Sequence, residues 1–331
     1  MTTYKEIFGK YVKNYSSDPT ADAEGQVWYN TTSGTFKTNV NIGGAWASGG
    51  NMGTARTVLG GAGTQTAGLA FGGRTSPTSP TVTTATEEYD GSAWTAGGAM
   101  SAAKDTGVGT AGTQTAGSAF GGSPVPTSNH QIYNGTSWTT STSMGTARYR
   151  LGGLGTQSSL LAVGGNDVGG TPTTATEEWN GAAWTAGGTT PANTQKGNSQ
   201  FGCVGTQTAG LVFGAASSAP GFTYTTNSSE YDGTSFSEGG TTPSATQFVG
   251  NGLQTAALGY GGGPANLTTI NYNGTTWGTS ASLATSGNGS ASAINSPSTT
   301  GLMFGGWTPA INAVTQEYQD PTIATRTITT S

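Results

Sequence analysis

The stretch GTQTAGLAFGG, Gly63 to Gly73, returns along the chain at a nearly fixed interval, and nothing else in the sequence constrains the fold as strongly. It recurs as GTQTAGSAFGG (Gly112 to Gly122), GTQSSLLAVGG (Gly155 to Gly165) and GTQTAGLVFGA (Gly205 to Ala215). It then drifts to LQTAALGYGGG (Leu253 to Gly263) and SPSTTGLMFGG (Ser296 to Gly306). The residue before the diglycine is Phe71, Phe120, Val163, Phe213, Tyr260 and Phe304, so six copies follow one another at steps of 49, 43, 50, 47 and 44 residues.

A second element follows five of the copies: an aromatic, Asp-Gly or Asn-Gly, and another aromatic at constant spacing. The instances are Tyr89-Asp90-Gly91 to Trp94, Tyr133-Asn134-Gly135 to Trp138, Trp179-Asn180-Gly181 to Trp184, Tyr231-Asp232-Gly233 to Phe236, and Tyr272-Asn273-Gly274 to Trp277. Asp-Gly and Asn-Gly accept positive φ at both positions of a tight turn, which predicts a two-residue hairpin joining a third and a fourth strand. A period in the forties with these parts is that of a propeller blade. The recurring aromatics are then core between neighbouring blades.

The sixth copy is incomplete. Tyr318 arrives on time, but Gln319-Asp320-Pro321 cannot form the hairpin, while Ala45 to Met52 matches Ala93 to Met100 with no Tyr-Asp-Gly before it. The chain therefore reads as an all-β, six-bladed propeller over residues 45–320, with one blade split between the termini and the Trp46 strand set beside Tyr318. Such closure removes an exposed sheet edge and ties the unit's stability to both ends.

The flanks differ from the repeats. In residues 1–44, Tyr4, Phe8, Tyr11 and Tyr15 fall at helical spacing among Lys5, Lys10 and Lys13, which predicts a short amphipathic helix. It either packs on the propeller or serves as a docking arm. Asn14 to Ala23 reads as a linker, and Gly25–Asn30 with Thr35–Val40 as a β-hairpin. Residues 321–331 hold a further strand that pairs with that hairpin or with the split blade.

Only 8% of residues are charged and 57 are glycine, a composition that suits a linker until the phased aromatics are considered. A net charge of −5 without a basic run speaks against nucleic acid as partner. No apolar run reaches the roughly 18 residues of a membrane span, and no apolar signal-peptide core opens the chain, so neither membrane insertion nor secretion by that route is expected. No heptad pattern sets an oligomer. Cys203 stands alone and reads as a small buried residue.

The apolar strand with its diglycine, the spaced Tyr and the Trp resemble kelch and galactose-oxidase-type propeller repeats over roughly residues 45–320. GQVWYNTTSGTFK near the start, the nearly identical blades and the Thr-rich end TRTITTS together resemble virion proteins of tailed phages, marine ones in particular. The resemblance implies a virion location, synthesis in the host cytoplasm, and other virion proteins as partners of the N-terminal arm. One departure from kelch is that basic residues recur only as Arg56, Lys104 and Arg148, each four residues after Met52, Met100 or Met144. A charged ring around the channel would be incomplete.

Catalysis is not expected. The copper site of galactose oxidase needs two His, and this chain has only His130, read as a loop or surface residue. One Cys and one His cannot build a zinc site either, so no metal or cofactor is predicted. No nucleophile elbow accompanies His130. YDGSAW superficially matches a sialidase Asp box, but five arginines give no evident carboxylate clamp. Glu87-Glu88 and Glu177-Glu178 have the look of paired glycosidase acids. They recur in register within third strands, where adjacent side chains face opposite ways, and so read as a repeat feature of the blade surface.

Strand direction places the short, repetitive turns on one face of the disc and the second-to-third loops, with the links between blades, on the other. Those loops vary most, and variable loops on a fixed scaffold carry binding. Within them Phe222, Tyr224 and Trp307 are candidates to stack on sugar rings, and Arg74, Asn166 and Asp167 to hydrogen-bond hydroxyls. The readings that follow are a tail fibre or appendage recognising a host-surface glycan or protein, a capsid or tail decoration protein without a receptor, and a kelch-like carbohydrate-active enzyme or cellular adaptor.

Overall fold

The structure, a computed structural model, describes residues 12–19, 26–42, 44–76, 81–105, 109–123, 125–191, 201–214, 224–263, 265–320 and 322–328. These residues are all β, with no helix among them. The chain divides into two units, Met1–Ala45 with Asp320–Ser331, and Trp46–Gln319.

In the first unit β1 (Lys13–Tyr15), β2 (Val27–Asn30) and β3 (Thr35–Ile42) lie side by side. The expected hairpin is present: β2 and β3 pair antiparallel across the turn 31–34, where Asn30 Oδ1 accepts from Thr32 N at 3.0 Å and Ser33 N at 2.9 Å. The expected helix is not seen among the described residues. β1 runs parallel to β2 with Lys13 opposite Trp28, and the Tyr15 carbonyl accepts from Thr31 N. A short helix is marginal alone, and here the edge of the hairpin offers its last residues a ladder instead. Tyr4, Phe8 and Tyr11 lie outside the described residues. The linker is likewise anchored in part, since Asp18 Oδ1 accepts from Trp28 Nε1 and Asn30 Nδ2.

The second unit opens with β4 (Ala45–Ser48) and continues in repeated four-stranded antiparallel sheets, which make it propeller-like. Sheet 1 holds β5 (Gly60–Thr64), β6 (Ala67–Phe71), β7 (Thr86–Tyr89) and β8 (Trp94–Ala96). Sheet 2 holds β9 (Gly109–Thr113), β10 (Ala116–Phe120), β11 (His130–Tyr133) and β12 (Trp138–Ser141). Sheet 3 holds β13 (Gly152–Thr156), β14 (Ser159–Val163), β15 (Thr176–Trp179) and β16 (Trp184–Ala186). Sheet 4 holds β17 (Gly202–Thr206), β18 (Ala209–Phe213), β19 (Ser228–Tyr231) and β20 (Phe236–Glu238). Sheet 5 holds β21 (Val249–Leu253), β22 (Ala256–Tyr260), β23 (Thr269–Tyr272) and β24 (Trp277–Ser280). Sheet 6 has the order β25 (Ala291–Ser292), β26 (Thr300–Phe304), β27 (Thr315–Gln319) and then β4. Finally β28 (Thr322–Thr327) returns to the first unit and pairs antiparallel with β3, which settles its partner.

Each sheet grades in one direction. In sheet 1, for example, the first strand is glycine-rich and buried, the second apolar and buried, and the fourth largely exposed. First strands of successive sheets touch in the order β5, β9, β13, β17, β21, β25, and β25 touches β5. Glycine is required there: a Cβ on Gly61 would lie 2.4 Å from the Ser292 carbonyl oxygen. The core sits between sheets. One cluster, for example, joins Leu69 and Phe71 of sheet 1 to Ala119, Tyr133 and Trp138 of sheet 2.

The third-to-fourth turn differs from expectation. Tyr89 pairs with Trp94, leaving a four-residue loop 90–93 in which only Gly91 has positive φ, at 92°. Asp90 instead turns its carboxylate onto Ser92 N and Ala93 N, both at 2.8 Å, so the side chain closes the turn that a second positive φ would otherwise close.

The glutamine of each GTQ turn reaches back into the preceding sheet. Gln157 Nε2 donates to the Gly117 and Tyr133 carbonyls at 2.9 and 2.7 Å. Gln114, Gln207 and Gln254 do the same for sheets 1, 3 and 4. Gln65 donates to the Gly301 and Tyr318 carbonyls of sheet 6. Between sheets 5 and 6 the role passes to Asn251 Nδ2, which donates to Ser296, Pro297 and Thr300 carbonyls.

Trp46 lies between Tyr260, at 4.9 Å between ring centroids, and Tyr318, at 5.3 Å, and its Nε1 donates to Thr269 Oγ1 at 2.9 Å. Trp46→Ala is expected to cost about 3 kcal/mol in urea unfolding, the usual loss for a large core aromatic discounted for its partial exposure. A loss below about 0.5 kcal/mol, the range of ordinary surface changes, would contradict this placement.

Candidate functional site

The second-to-third loops and the links between sheets share one face, as strand direction requires. Thr57 bridges Arg74, Asp105 bridges Ser123, Tyr149 bridges Asn166, and Asn288 bridges Trp307. In each pair the second residue directly follows a diglycine. Gly72 and Gly73, at φ 62° and 93°, turn the chain off β6 in a conformation that glycine alone adopts freely. Three of the predicted residues, Arg74, Asn166 and Trp307, thus occupy one equivalent position on three different sheets.

Their environments differ. Arg74 pairs through Nε with the buried Asp105 carboxylate. Asn166 is buried, and its Nδ2 donates to Tyr149 Oη at 3.3 Å. Asp167 Oδ1 accepts from Gly169 N at 2.9 Å and Thr171 N at 2.8 Å, which shapes its own loop. Tyr224 is half-buried, and Phe222 lies outside the described residues. Trp307 is 42% exposed and, with Val125, Val168 and Leu267, gives four of these loops an exposed apolar residue.

Beneath the loops lies a set of buried charges whose partners the sequence reading missed. Arg56 Nη1 donates to the Gly72 and Ala85 carbonyls, and its Nη2 pairs with Glu87 Oε1 at 2.8 Å. Arg148 repeats this with Gly164, Ala175 and Glu177. Burial lowers both guanidinium pKa values while the glutamates pull them back up. The basic residues therefore belong to no ring around a channel; they cross-link the loop bases. The paired acids are not a surface feature either. Glu87 and Glu177 are the buried partners of the arginines, while Glu88 and Glu178 accept from Tyr133 and Tyr231 of the next sheet. Burial first, then these carboxylates, push both phenols up to about 12. The repeat carried the signal: Arg and Glu both occur in the first and third copies.

Sheet 2 replaces this pair with Lys104 and Gln131, both fully buried. A pocket of about 330 Å³ opens above Lys104, walled by Ser123, Val125, Pro126, Thr127 and Asn129. Burial holds the Lys104 amine down at about 8. His130 is no surface residue. It starts β11 with 0% exposure, ringed by Phe120, Trp179 and Trp184 at centroid distances of 5.9, 5.0 and 5.4 Å, and burial lowers its pKa to about 4. As the first residue of β11, one step from the loop, it points inward. Cys203 is buried and its thiol is raised by burial, which fits a packing role.

The cavity where the first strands meet holds about 50 Å³, room for a few waters, and is lined by groups such as Gly61, Thr110, Gly153, Cys203 and Ser292. Asn295, in the turn between β25 and β26, donates from its backbone to the Gly63 carbonyl at 3.0 Å and from Nδ2 to the Gly112 carbonyl at 2.9 Å. This explains why the sixth copy has lost GTQTAG: its turn braces the first strands of sheets 1 and 2. No cluster of three metal-ligating side chains occurs among the described residues.

Glu177→Gln leaves the Arg148 charge buried and uncompensated, and is expected to cost about 3 kcal/mol in chemical denaturation at neutral pH. The exposed Glu238→Gln should change little. For His130, the folded pKa lies below the unfolded value of 6.5, so the unfolded chain takes up more protons between the two. Stability present above pH 6.5 is then lost as pH falls toward 4, by up to about 3 kcal/mol. His130→Phe should flatten that part of the stability–pH curve. No protein-family model matches the chain, and no curated protein matches it.

Proposed function

We propose that Trp46–Gln319 is a six-bladed, kelch-like propeller closed by its split blade, and that the protein is a non-enzymatic component of a tailed-phage virion. In this reading it is a tail fibre or appendage, made in the host cytoplasm, that docks on other virion proteins through residues 1–44. It presents the variable loop face to a host-surface glycan or protein, and needs neither nucleic acid nor membrane insertion.

Support for closure comes from bonds that join sheet 1 to sheet 6 as other bonds join their neighbours. Gln65 donates to Gly301 and Tyr318 carbonyls, Trp94 Nε1 to Thr315 Oγ1 at 2.9 Å, and Tyr89 Oη to Glu317. Support for the virion assignment is the likeness of the N-terminal hairpin, the near-identical repeats and the Thr-rich end to such proteins.

One observation carries the recognition reading. The side chains that recur from copy to copy are consumed by bonds between sheets or beneath loops, whereas the variable residues gather on one face. The paired acids that look like glycosidase carboxylates are among those consumed, which supports a non-catalytic role. The test is a glycan array and host-cell binding assay with the full chain, alongside its location in purified particles. Selective retention by a host-surface glycan or protein, with the chain placed on the tail, is the expected result. A head location with no retention would overturn it in favour of a decoration protein.

A further inference from the structure

Sheet 2 departs from sheets 1 and 3 at one linked set of positions. Arg56 and Arg148 each use Nη1 for two backbone carbonyls and Nη2 for a glutamate. Lys104 keeps the first role only: its Nζ donates to the Gly121 carbonyl at 2.6 Å and the Asn129 carbonyl at 3.2 Å, the counterparts of Gly72 and Ala85. The glutamate's place is taken by Gln131, whose amide is turned onto Ala102, accepting from its N–H at 3.2 Å and donating to its carbonyl at 3.1 Å. The carboxylate that follows Lys104 in sequence, Asp105, is paired with Arg74. Among the described residues, therefore, no carboxylate bonds the Lys104 ammonium, and one of its three N–H groups is unused.

A buried cation without a counter-ion is costly, and the other two copies avoid that cost with a glutamate. Here Lys104 is one of the residues lining the pocket of about 330 Å³, far more than one water requires. Asn129, absent from the siblings, which carry Ala85 and Ala175, lines the same pocket, and its Oδ1 is buried without a partner among the described residues. One recess is thus lined by a cationic residue and an amide, their polar atoms shielded from solvent, beside an apolar wall formed by Val125 and Pro126.

The geometry points to a binding site for a hydroxylated carboxylate, in the recognition context a uronic-acid residue of a host glycan. Its carboxylate takes the free N–H of Lys104 as Glu87 and Glu177 serve the arginines, and a hydroxyl donates to Asn129 Oδ1 once that half-buried side chain turns toward the recess. This deepens the recognition reading and depends on it for the glycan source; the chemistry of the pocket does not.

The experiment titrates the full-length protein with galacturonate, galactose and acetate by calorimetry, and follows the Lys104 amine by NMR. Galacturonate should bind at least about tenfold more tightly than either of the others, the worth of one charge-assisted hydrogen bond or one added hydroxyl contact. The Lys104 pKa should rise on binding, since a carboxylate favours the ammonium. The double variant K104R/Q131E, which rebuilds the sibling ion pair, should fold and lose galacturonate binding by about tenfold or more. Lys104→Met serves if it does not fold. Equal binding of galactose or acetate, no binding of any of the three, or undiminished binding by the variants would overturn the site. A neutral glycan retained on the array equally by wild type and K104R/Q131E would leave host recognition standing and remove only this pocket. Galacturonate binding without host-cell binding would do the reverse.

Discussion

The hydrogen bond from the GTQ glutamine to two carbonyls of the preceding sheet is the interaction on which the rest of the second unit depends. A four-stranded sheet leaves carbonyls at its strand ends without ladder partners, and buried ones must be satisfied. Gln157 supplies both donors to Gly117 and Tyr133 from one amide, and does so from the neighbouring sheet, so satisfying the backbone and joining the sheets are one event. The same sheets have little core of their own. Leu69 and Phe71 pack with Ala119 and Trp138 across the interface, so each sheet is completed by the next, as in other repeat architectures.

Because the architecture rests on amides, hydroxyls and aromatic rings, it needs few charges, and the charges it has are placed with purpose. Arg56 and Arg148 fasten the diglycine carbonyl and the start of the third strand to one glutamate. The second glutamate faces the opposite way and accepts from a tyrosine of the next sheet. Neighbouring acids that seem a catalytic pair in sequence are divided by the pleat between two structural duties. Above them the loops vary in sequence while the arginine–glutamate bonds hold their bases.

Much of this was legible in the sequence. The phased diglycines, the aromatics and the matching halves at the two ends gave the sheets, their strands and the pairing of the Trp46 strand beside Tyr318, because each is a local pattern repeated often enough to stand out. What failed were statements about single side chains. Tyr15 has helical spacing but finds a strand edge; Asp90 was credited with a backbone conformation and instead supplies a carboxylate; His130 ends a variable loop yet points into a ring of aromatics. The Lys104 pocket was half-written in the repeat, as Lys, Gln and Asn where the siblings carry Arg, Glu and Ala, but only the shared neighbourhood gives those three changes one meaning.

The sequence by itself determined the periodic architecture: strands of fixed length, glycine where chains must approach, and aromatics where faces meet. These follow from steric and apolar preferences that act over a few residues and were read directly from the spacing. Only the tertiary structure decided which charges pair, which amide reaches which carbonyl, and which side chains of the variable face are free. Those outcomes depend on groups from strands more than twenty residues apart being brought within about 3 Å, the reach of a hydrogen bond, and that distance is set by packing rather than by any local pattern.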